Sequence, residues 1–374
     1  MRNRLTAISL FLLFMAASIP AISQTKPTDA EIKKFGLKID SLANAGAWEK
    51  ISKNHFDVEA LGNRILAKIQ LSEADKKDFM EGFKSGSQTN NIMAEFEAQS
   101  TGFKFLKVVE RNKEKRALFR MEAGDGLNYL EFYVIKNTKN ELKIADIYSY
   151  LLIDDISSSL ASMIQNFQDS EMSNAASSPT LQTVKAMRAA QKEQNYNKIL
   201  TLYNKLSPED KKLKLFLTIR MTAAQNVGDE QYKAAMDDFY KAYPNEPGLS
   251  LLMIDRYFME DNYAKTLEVI NKTDSLVGGD PYLELYRGNL YVSTEEYDKA
   301  EASLEKFVKN FPKEEAAYPT YVSLLIVNNK FKQAVDTMKK WKKETGQNPD
   351  EFINVADYPE FTESPEYKAY AASK

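Results

Sequence analysis

The chain has 374 residues, and its 50 Lys and Arg residues nearly balance its 53 Asp and Glu residues, for a formal net charge of −3 at pH 7. This balance argues against a nucleic-acid partner, because nucleic-acid binding usually requires a strongly basic face. The chain contains no cysteine, which excludes disulfides, thiolate metal sites and cysteine nucleophiles.

The first 23 residues have the pattern of a secretory signal peptide. Arg2 and Arg4 precede an apolar run over residues 5–17, and Pro20 ends the run shortly before the small residue Ser23. The run is too short for a convincing transmembrane helix, and no later stretch is long enough for one. We therefore predict that residues 1–23 are removed and that the mature chain has no integral membrane segment. We expect it to be periplasmic or secreted.

Residues 24–168 are predicted to form an α+β domain that begins with helices. Apolar residues recur at helical spacing over residues 29–45, 58–69 and 72–82. From residue 103 the period changes from that of a helix to that of a strand. Four strands are predicted at residues 103–111, 115–123, 127–136 and 141–148.

Short polar connections join these strands, so consecutive strands should pair as an antiparallel meander. A further helix, over residues 154–167, is expected to pack back on the sheet. This order of helices and strands resembles the cystatin-like or nuclear-transport-factor-like cone. The resemblance implies a curved sheet that wraps helices and can enclose a pocket.

Asp146 is the residue of this domain that most suggests chemistry. It lies in the fourth predicted strand in phase with Leu142 and Ile144, which would point its carboxylate toward an apolar face. A carboxylate there would have a raised pKa and could act as a base or line a ligand pocket. The alternative, which we favour, is a structural hydrogen bond near the end of the strand.

The lone histidine, His55, is predicted to lie in a loop near Asp57. Catalysis would need a third positioned group, and no serine occurs in a nucleophile-elbow context. Asp57 is better explained as the N-cap of the helix that follows. We therefore predict no catalytic residue and interpret the chain as not being an enzyme.

Residues 169–179 are small and polar and end in proline, the composition of a linker. Over residues 180–346 an aromatic residue recurs between two helical patterns, at spacings of 36, 31, 34 and 34 residues. These aromatic residues are Tyr196, Tyr232, Tyr263, Tyr297 and Phe331. A period near 34 residues is typical of tetratricopeptide repeats.

The segment 281–312 resembles the tetratricopeptide family most clearly. The residues that carry the resemblance are Gly288, Tyr291, Tyr297, Ala300, Leu304 and Pro312. It implies an all-α solenoid of about five helix pairs, in which small residues let paired helices cross closely. Residues 347–374 resemble the capping segment that follows such arrays in bacterial proteins, with Ser364 as an N-cap and Pro365 at the first helical position.

The family resemblance implies that the first helices of successive repeats build a concave, partner-binding groove. The residues expected to line it are Leu251, Asp255, Phe258, Met259, Tyr282, Leu285, Asn289 and Val292. An apolar groove with a few hydrogen-bonding groups suits a peptide or a docked segment of another protein. Two alternatives remain open: some of these residues pack between repeats, or the protein's own N-terminal domain fills the groove.

No phosphate-binding loop or dinucleotide fingerprint is present, and the paired acidic residues lack the spacing of a calcium loop, so we expect no cofactor and no metal. We favour a scaffold that binds a partner protein or peptide in the repeat groove, and we leave its oligomeric state open. The alternative is a small-molecule-binding protein or weak enzyme with a pocket in the N-terminal domain near Asp146.

Overall fold

The computed structural model describes residues 26–89, 93–123, 126–170, 179–246 and 248–373. The predicted signal peptide and most of the predicted linker lie outside these residues. Among the helices within them, none is both long enough and apolar enough to cross a membrane.

In the described residues, five helices precede the sheet. They are α1 (Asp29–Asn44), α2 (Trp48–His55), α3 (Val58–Leu66), α4 (Glu73–Thr89) and α5 (Ala94–Gln99). α1 begins with a capping box between Thr28 and Glu31. α2 replaces the loop that we predicted around His55. It buries Trp48 and Ile51, and two apolar residues are too few to reveal a helical period.

The predicted antiparallel meander is confirmed and gains a short fifth strand. The strands are β1 (Gly102–Arg111), β2 (Glu114–Ala123), β3 (Gly126–Lys136), β4 (Leu142–Ser149) and β5 (Asp154–Asp155), and they pair in chain order. Because β5 pairs with the end of β4, the helix predicted from residue 154 begins two residues later, as α6 (Ile156–Ser170).

Alternation of side chains gives the sheet two different faces. On one face Phe119 lies between Phe103 and Phe132, with ring centroids 4.8 Å and 4.7 Å apart, in a core shared with apolar residues of α1. The opposite face carries Arg120 and Tyr129, which pair across β2 and β3. The N-terminal helices pack their apolar residues on the aromatic face, and the part of the second face around Arg120 and Tyr129 needs another partner.

Five helix pairs follow within the described residues, each joined by a turn of three or four residues. The first helices are α7 (Pro179–Lys192), α9 (Lys214–Gln225), α11 (Leu249–Phe258), α13 (Glu284–Ser293) and α15 (Tyr318–Val327). The second helices are α8 (Tyr196–Asn204), α10 (Asp229–Ala242), α12 (Tyr263–Val277), α14 (Tyr297–Asn310) and α16 (Phe331–Thr345). Four second helices begin at the repeating aromatic residue, and the predicted all-α repeat solenoid is confirmed.

Gly288 lies where α13 crosses α14. A Cβ atom at this position would lie 2.5 Å from Cδ2 of Leu304, and Leu304 is fully buried. The absence of a side chain therefore allows the two helices to approach closely.

Two short helices, α17 (Pro359–Glu363) and α18 (Pro365–Ala372), follow the last pair. Phe361 of α17 is fully buried, and its ring centroid lies 5.6 Å from that of Phe331 at the start of α16. The Ser364 hydroxyl accepts a hydrogen bond from the N–H of Tyr367 and caps α18 as expected. These contacts cover the apolar end of the last repeat.

The second face of the sheet docks on the loops that precede α11 and α13. Nη1 of Arg120 donates a hydrogen bond to Oδ1 of Asp280 at 2.6 Å, and the Tyr129 hydroxyl donates to Oδ2 at 2.9 Å. All three side chains are buried. Gly248, just before α11, lies so close to the backbone of Tyr150 that a Cβ atom would be 2.9 Å from the Tyr150 Cα.

One hydrophobic cluster consequently spans the sheet and the repeats. It includes Leu118, Leu127, Tyr129, Tyr148 and Tyr150 from the sheet side, and Leu251, Ile254, Tyr282, Leu283 and Leu285 from the repeats. The protein's own N-terminal domain therefore covers the N-terminal halves of α11 and α13.

We predict that the substitution Gly288→Ala costs about 1–3 kcal/mol of unfolding free energy, because the new methyl group overpacks a contact in which Leu304 has no room to move. Gly82→Ala is the control, since this exposed helical glycine has open space around it and alanine favours a helix. Urea denaturation compares the two variants, and equal stabilities would contradict the close helix crossing.

We also predict strong energetic coupling between Arg120 and Asp280. Asp280→Asn alone should cost about 1–3 kcal/mol, because it removes one of the two carboxylates that pair with the buried Arg120, the other being Glu122. In a double-mutant cycle with Arg120→Leu, the double variant should be less destabilised than the sum of the single variants, by about 1 kcal/mol or more. The exposed pair Glu49 and Lys53 should show no measurable coupling. Additive effects at Arg120 and Asp280 would mean that this contact does not hold the two parts together.

Candidate functional site

The eight predicted groove residues fall into two groups along α11 and α13. Leu251, Tyr282 and Leu285, at or near the N-terminal ends of these helices, are 3–8% exposed and belong to the cluster shared with the sheet. Our expectation that these three residues line an open groove is therefore wrong. The sequence of the repeats alone does not reveal that the sheet and the neighbouring helices cover them.

The second group lies toward the C-terminal ends of the same helices and remains accessible. Phe258, Met259 and Val292 are partly buried, whereas Asp255 and Asn289 are exposed. The groove is therefore open over the C-terminal halves of α11 and α13 only. We call this open part, with Tyr232 and Tyr286 beside it, the Asp255 recess.

Asp255 is exposed but surrounded by protein atoms, so its carboxylate lies in a concavity open to solvent. The protein displaces part of the water that would solvate the charge, and this loss raises the pKa of Asp255 above its usual range. The Tyr232 hydroxyl donates a hydrogen bond to Oδ2 of Asp255 at 3.4 Å and opposes the shift. Within the described part of the chain, no lysine or arginine forms an ion pair with this carboxylate.

Tyr286 of α13 connects the Asp255 recess to the sheet. Burial raises the pKa of Tyr286, and the nearby charge of Asp255 adds to the effect. Tyr286 contributes in turn to the raised pKa values of Tyr232 and Tyr129, whose main cause is again burial. Both Tyr232 and Tyr286 therefore stay protonated at neutral pH and line the recess as neutral hydroxyl-bearing rings.

Sequence reasoning missed the roles of these two tyrosines. Tyr232 marks the repeat period, but its contact with Asp255 joins the second helix of one repeat to the first helix of the next. Tyr286 has no special place in the repeat pattern. A period identifies positions that recur, whereas a recess depends on which positions of neighbouring repeats face each other.

Asp146 is fully buried and has a full set of partners. Nε of Arg64 donates to Oδ2 at 2.8 Å, the Ser157 hydroxyl donates to the same oxygen at 2.5 Å, and the N–H groups of Ile147 and Ser157 donate to Oδ1 at 2.9 Å and 3.1 Å. These are the contacts of a carboxylate that ties α3 and α6 to the sheet.

The prediction that Asp146 points to the same face of the sheet as Ile144 is wrong. The register between β3 and β4 shifts at this point, so Asp146 pairs with Tyr133 while Ile144 pairs with Val134. Because Tyr133 and Val134 are neighbours in one strand, their partners belong to opposite faces of the sheet. A single extra residue, Ala145, therefore reverses the face that simple alternation predicts.

His55 ends α2 and packs edge-on against Phe35, with ring centroids 5.6 Å apart. The pKa of His55 is lowered to about 4, mainly because the side chain is partly buried. The positive charges of Lys38 and Lys143 add to this shift. It is consequently neutral at physiological pH. Asp57 caps α3 as predicted, since its carboxylate accepts a hydrogen bond from the N–H of Ala60 at 2.9 Å.

A shallow cleft of about 320 Å³ lies between the first two helix pairs. Its lining residues are Leu200, Tyr203, Asn204, Arg220, Ala224, Glu230, Gln231 and Ala234. Arg220, its most prominent polar group, pairs with Asp238 and lies over the ring of Tyr203. The cation is thus already neutralised within the protein.

Comparison with known proteins finds similarity in architecture only. No protein-family model matches the chain, and no curated protein matches it. The crystal structure of MamA protein is 16% identical over 48% of this chain and 96% of its own, with a TM-score of 0.37. That of PilW, described as a widely conserved type IV pilus biogenesis factor, is 13% identical over 52% and 98%, with a TM-score of 0.38.

A tetratricopeptide repeat protein from Parabacteroides merdae ATCC 43184 is 15% identical over 58% of this chain and 86% of its own, with a TM-score of 0.41.

We predict that Asp255→Asn raises the thermal midpoint of unfolding at pH 7. A carboxyl whose pKa is higher in the folded than in the unfolded state holds its proton more readily when folded, so its ionised form destabilises the fold above the ordinary aspartate pKa, near ~4. Asparagine removes this charge.

The control is Asp336→Asn, which alters an exposed aspartate of α16. Differential scanning calorimetry should show a higher midpoint for Asp255→Asn than for the control at pH 7 and equal midpoints at pH 3. A lower midpoint for Asp255→Asn at pH 7 would mean that the ionised carboxylate contributes to stability.

Proposed function

We propose that this protein is an interaction scaffold that acts in the periplasm or outside the cell and binds a partner protein through the open part of its repeat groove. The single observation that carries the proposal is the Asp255 recess. In it, the solvent-accessible carboxylate of Asp255 lacks a cationic partner within the described residues. The partly exposed side chains of Phe258 and Met259 follow it by three and four residues in the chain, and the partly exposed Val292 belongs to α13.

The position of the sheet supports the proposal that only the open part of the groove binds a partner. The sheet covers the N-terminal halves of α11 and α13, whereas Asp255, Phe258, Asn289 and Val292 of their C-terminal halves are exposed or partly exposed. Accessible apolar side chains beside a few hydrogen-bonding groups form the kind of surface on which a peptide segment binds. The N-terminal domain would then close one end of the groove.

The export signal proposed for residues 1–23 rests on the sequence pattern alone. No observation favours the alternative of a ligand pocket at Asp146, because the protein itself supplies all the partners of that carboxylate. We propose no catalytic role for Asp146 or His55.

The test is affinity capture from an envelope extract with the chain from Gln24 onward as bait, beside the double variant Phe258→Ala, Met259→Ala. The matched control is Leu37→Ala, Tyr240→Ala, which removes two exposed apolar side chains that lie outside α11 and α13. We expect a discrete partner that wild type and control retain and that the groove variant loses at least tenfold. Equal capture by all three proteins, each folded by circular dichroism, would place binding outside the groove.

A further inference from the structure

The charges around Asp255 are paired in a way that excludes this residue. Arg256, its neighbour in the chain, donates to Asp237 of α10 at 2.8 Å and also pairs with Glu260. Lys233 pairs with Glu260 at 2.8 Å. Arg256 and Lys233, which follow Asp255 and Tyr232 in the sequence, are therefore already paired with other carboxylates.

The Asp255 recess therefore holds an unmatched negative charge in partly desolvated surroundings. Binding an apolar segment over it would remove the remaining water and leave the carboxylate uncompensated, which is costly. A segment with an acidic residue at this point would add repulsion to that cost. A cationic side chain would instead supply the missing partner and form a charge-assisted hydrogen bond.

The other walls of the recess are also suited to a cation. The buried Tyr232 donates its hydroxyl hydrogen to the carboxylate, and Tyr286 lies close enough for the charge of Asp255 to raise its pKa. The partly exposed Phe258 lies one helical turn from Asp255 on the same helix. Aromatic rings beside a carboxylate attract ammonium and guanidinium groups through their electron-rich faces. A divalent metal is a poorer candidate, since it needs several oxygen ligands and the described residues contain no cluster of three carboxylates or histidines.

We propose that the partner segment inserts a lysine or arginine side chain into this recess, with Asp255 as its counter-ion. This inference rests on the proposed function and names the chemistry of its partner. The occupant is a segment of another protein with a basic residue flanked by apolar ones. The apolar residues would pack on Phe258, Met259 and Val292 while the basic residue binds Asp255.

The experiment uses a displayed library of random 12-residue peptides selected on the chain from Gln24 onward. We expect a lysine or arginine to be enriched at one position of the selected peptides. The same library is selected on Asp255→Asn and on the control Asp336→Asn. The enrichment should disappear with the first variant and persist with the second.

One selected peptide, synthesised with lysine at the enriched position, is then compared with its norleucine analogue, which removes the ammonium group and keeps the four-carbon side chain. Isothermal titration should show about a tenfold or greater loss of affinity on the wild-type protein, or about 1.4 kcal/mol. On Asp255→Asn the two peptides should bind equally. Equal losses on both proteins would overturn the pairing with Asp255.

The outcomes separate the two proposals. Peptides that lose affinity with Phe258→Ala, Met259→Ala but carry no enriched basic residue would overturn this inference and leave the groove function intact. Peptides that bind equally to that double variant, or the absence of any selected peptide, would count against both. All variants are first compared with wild type by circular dichroism, so that a loss of binding is not a loss of fold.

Discussion

The buried contact between Arg120 and Asp280 is the constraint on which the rest of the architecture depends. Asp280 lies in the repeats and is fully shielded from solvent, yet its ion-pair partner and the phenol that donates to it both come from the sheet. A buried charge without such partners would cost several kcal/mol. The contact therefore holds the sheet against the start of α13, and the sheet in turn determines which half of the groove is covered.

The same physical rule makes Asp255 informative. The charges buried beneath the sheet are matched, as in the pairs Arg111 with Glu131 and Arg116 with Asp155, and Asp146 has both a cation and hydroxyl and amide donors. Asp255 has one long hydrogen bond from a phenol and no paired cation in the described residues. The contrast between these paired carboxylates and Asp255 is the basis of the functional proposal.

Two predictions from the sequence are wrong for specific physical reasons. Alternation placed Asp146 on the face of Ile144, but a bulge at Ala145 shifts the register and moves Asp146 to the other face. The repeat frame placed Tyr282 and Leu285 in an open groove, but both are buried in the cluster shared with the sheet. In each case the predicted secondary structure is correct. Pairing or packing with another element determines which way the side chain points or whether it is exposed.

The sequence by itself determined the elements: the helical period, the strand period and the recurring aromatic residue identify an α+β domain followed by helix pairs, because these signals arise within single elements or adjacent ones. Only the tertiary structure decided which surface is open and which carboxylate lacks a cation. Arg120 and Asp280 are 160 residues apart, and no local pattern marks two such residues as partners. Burial and charge pairing are properties of the packed chain, so the Asp255 recess becomes visible only when the sheet lies on the repeats.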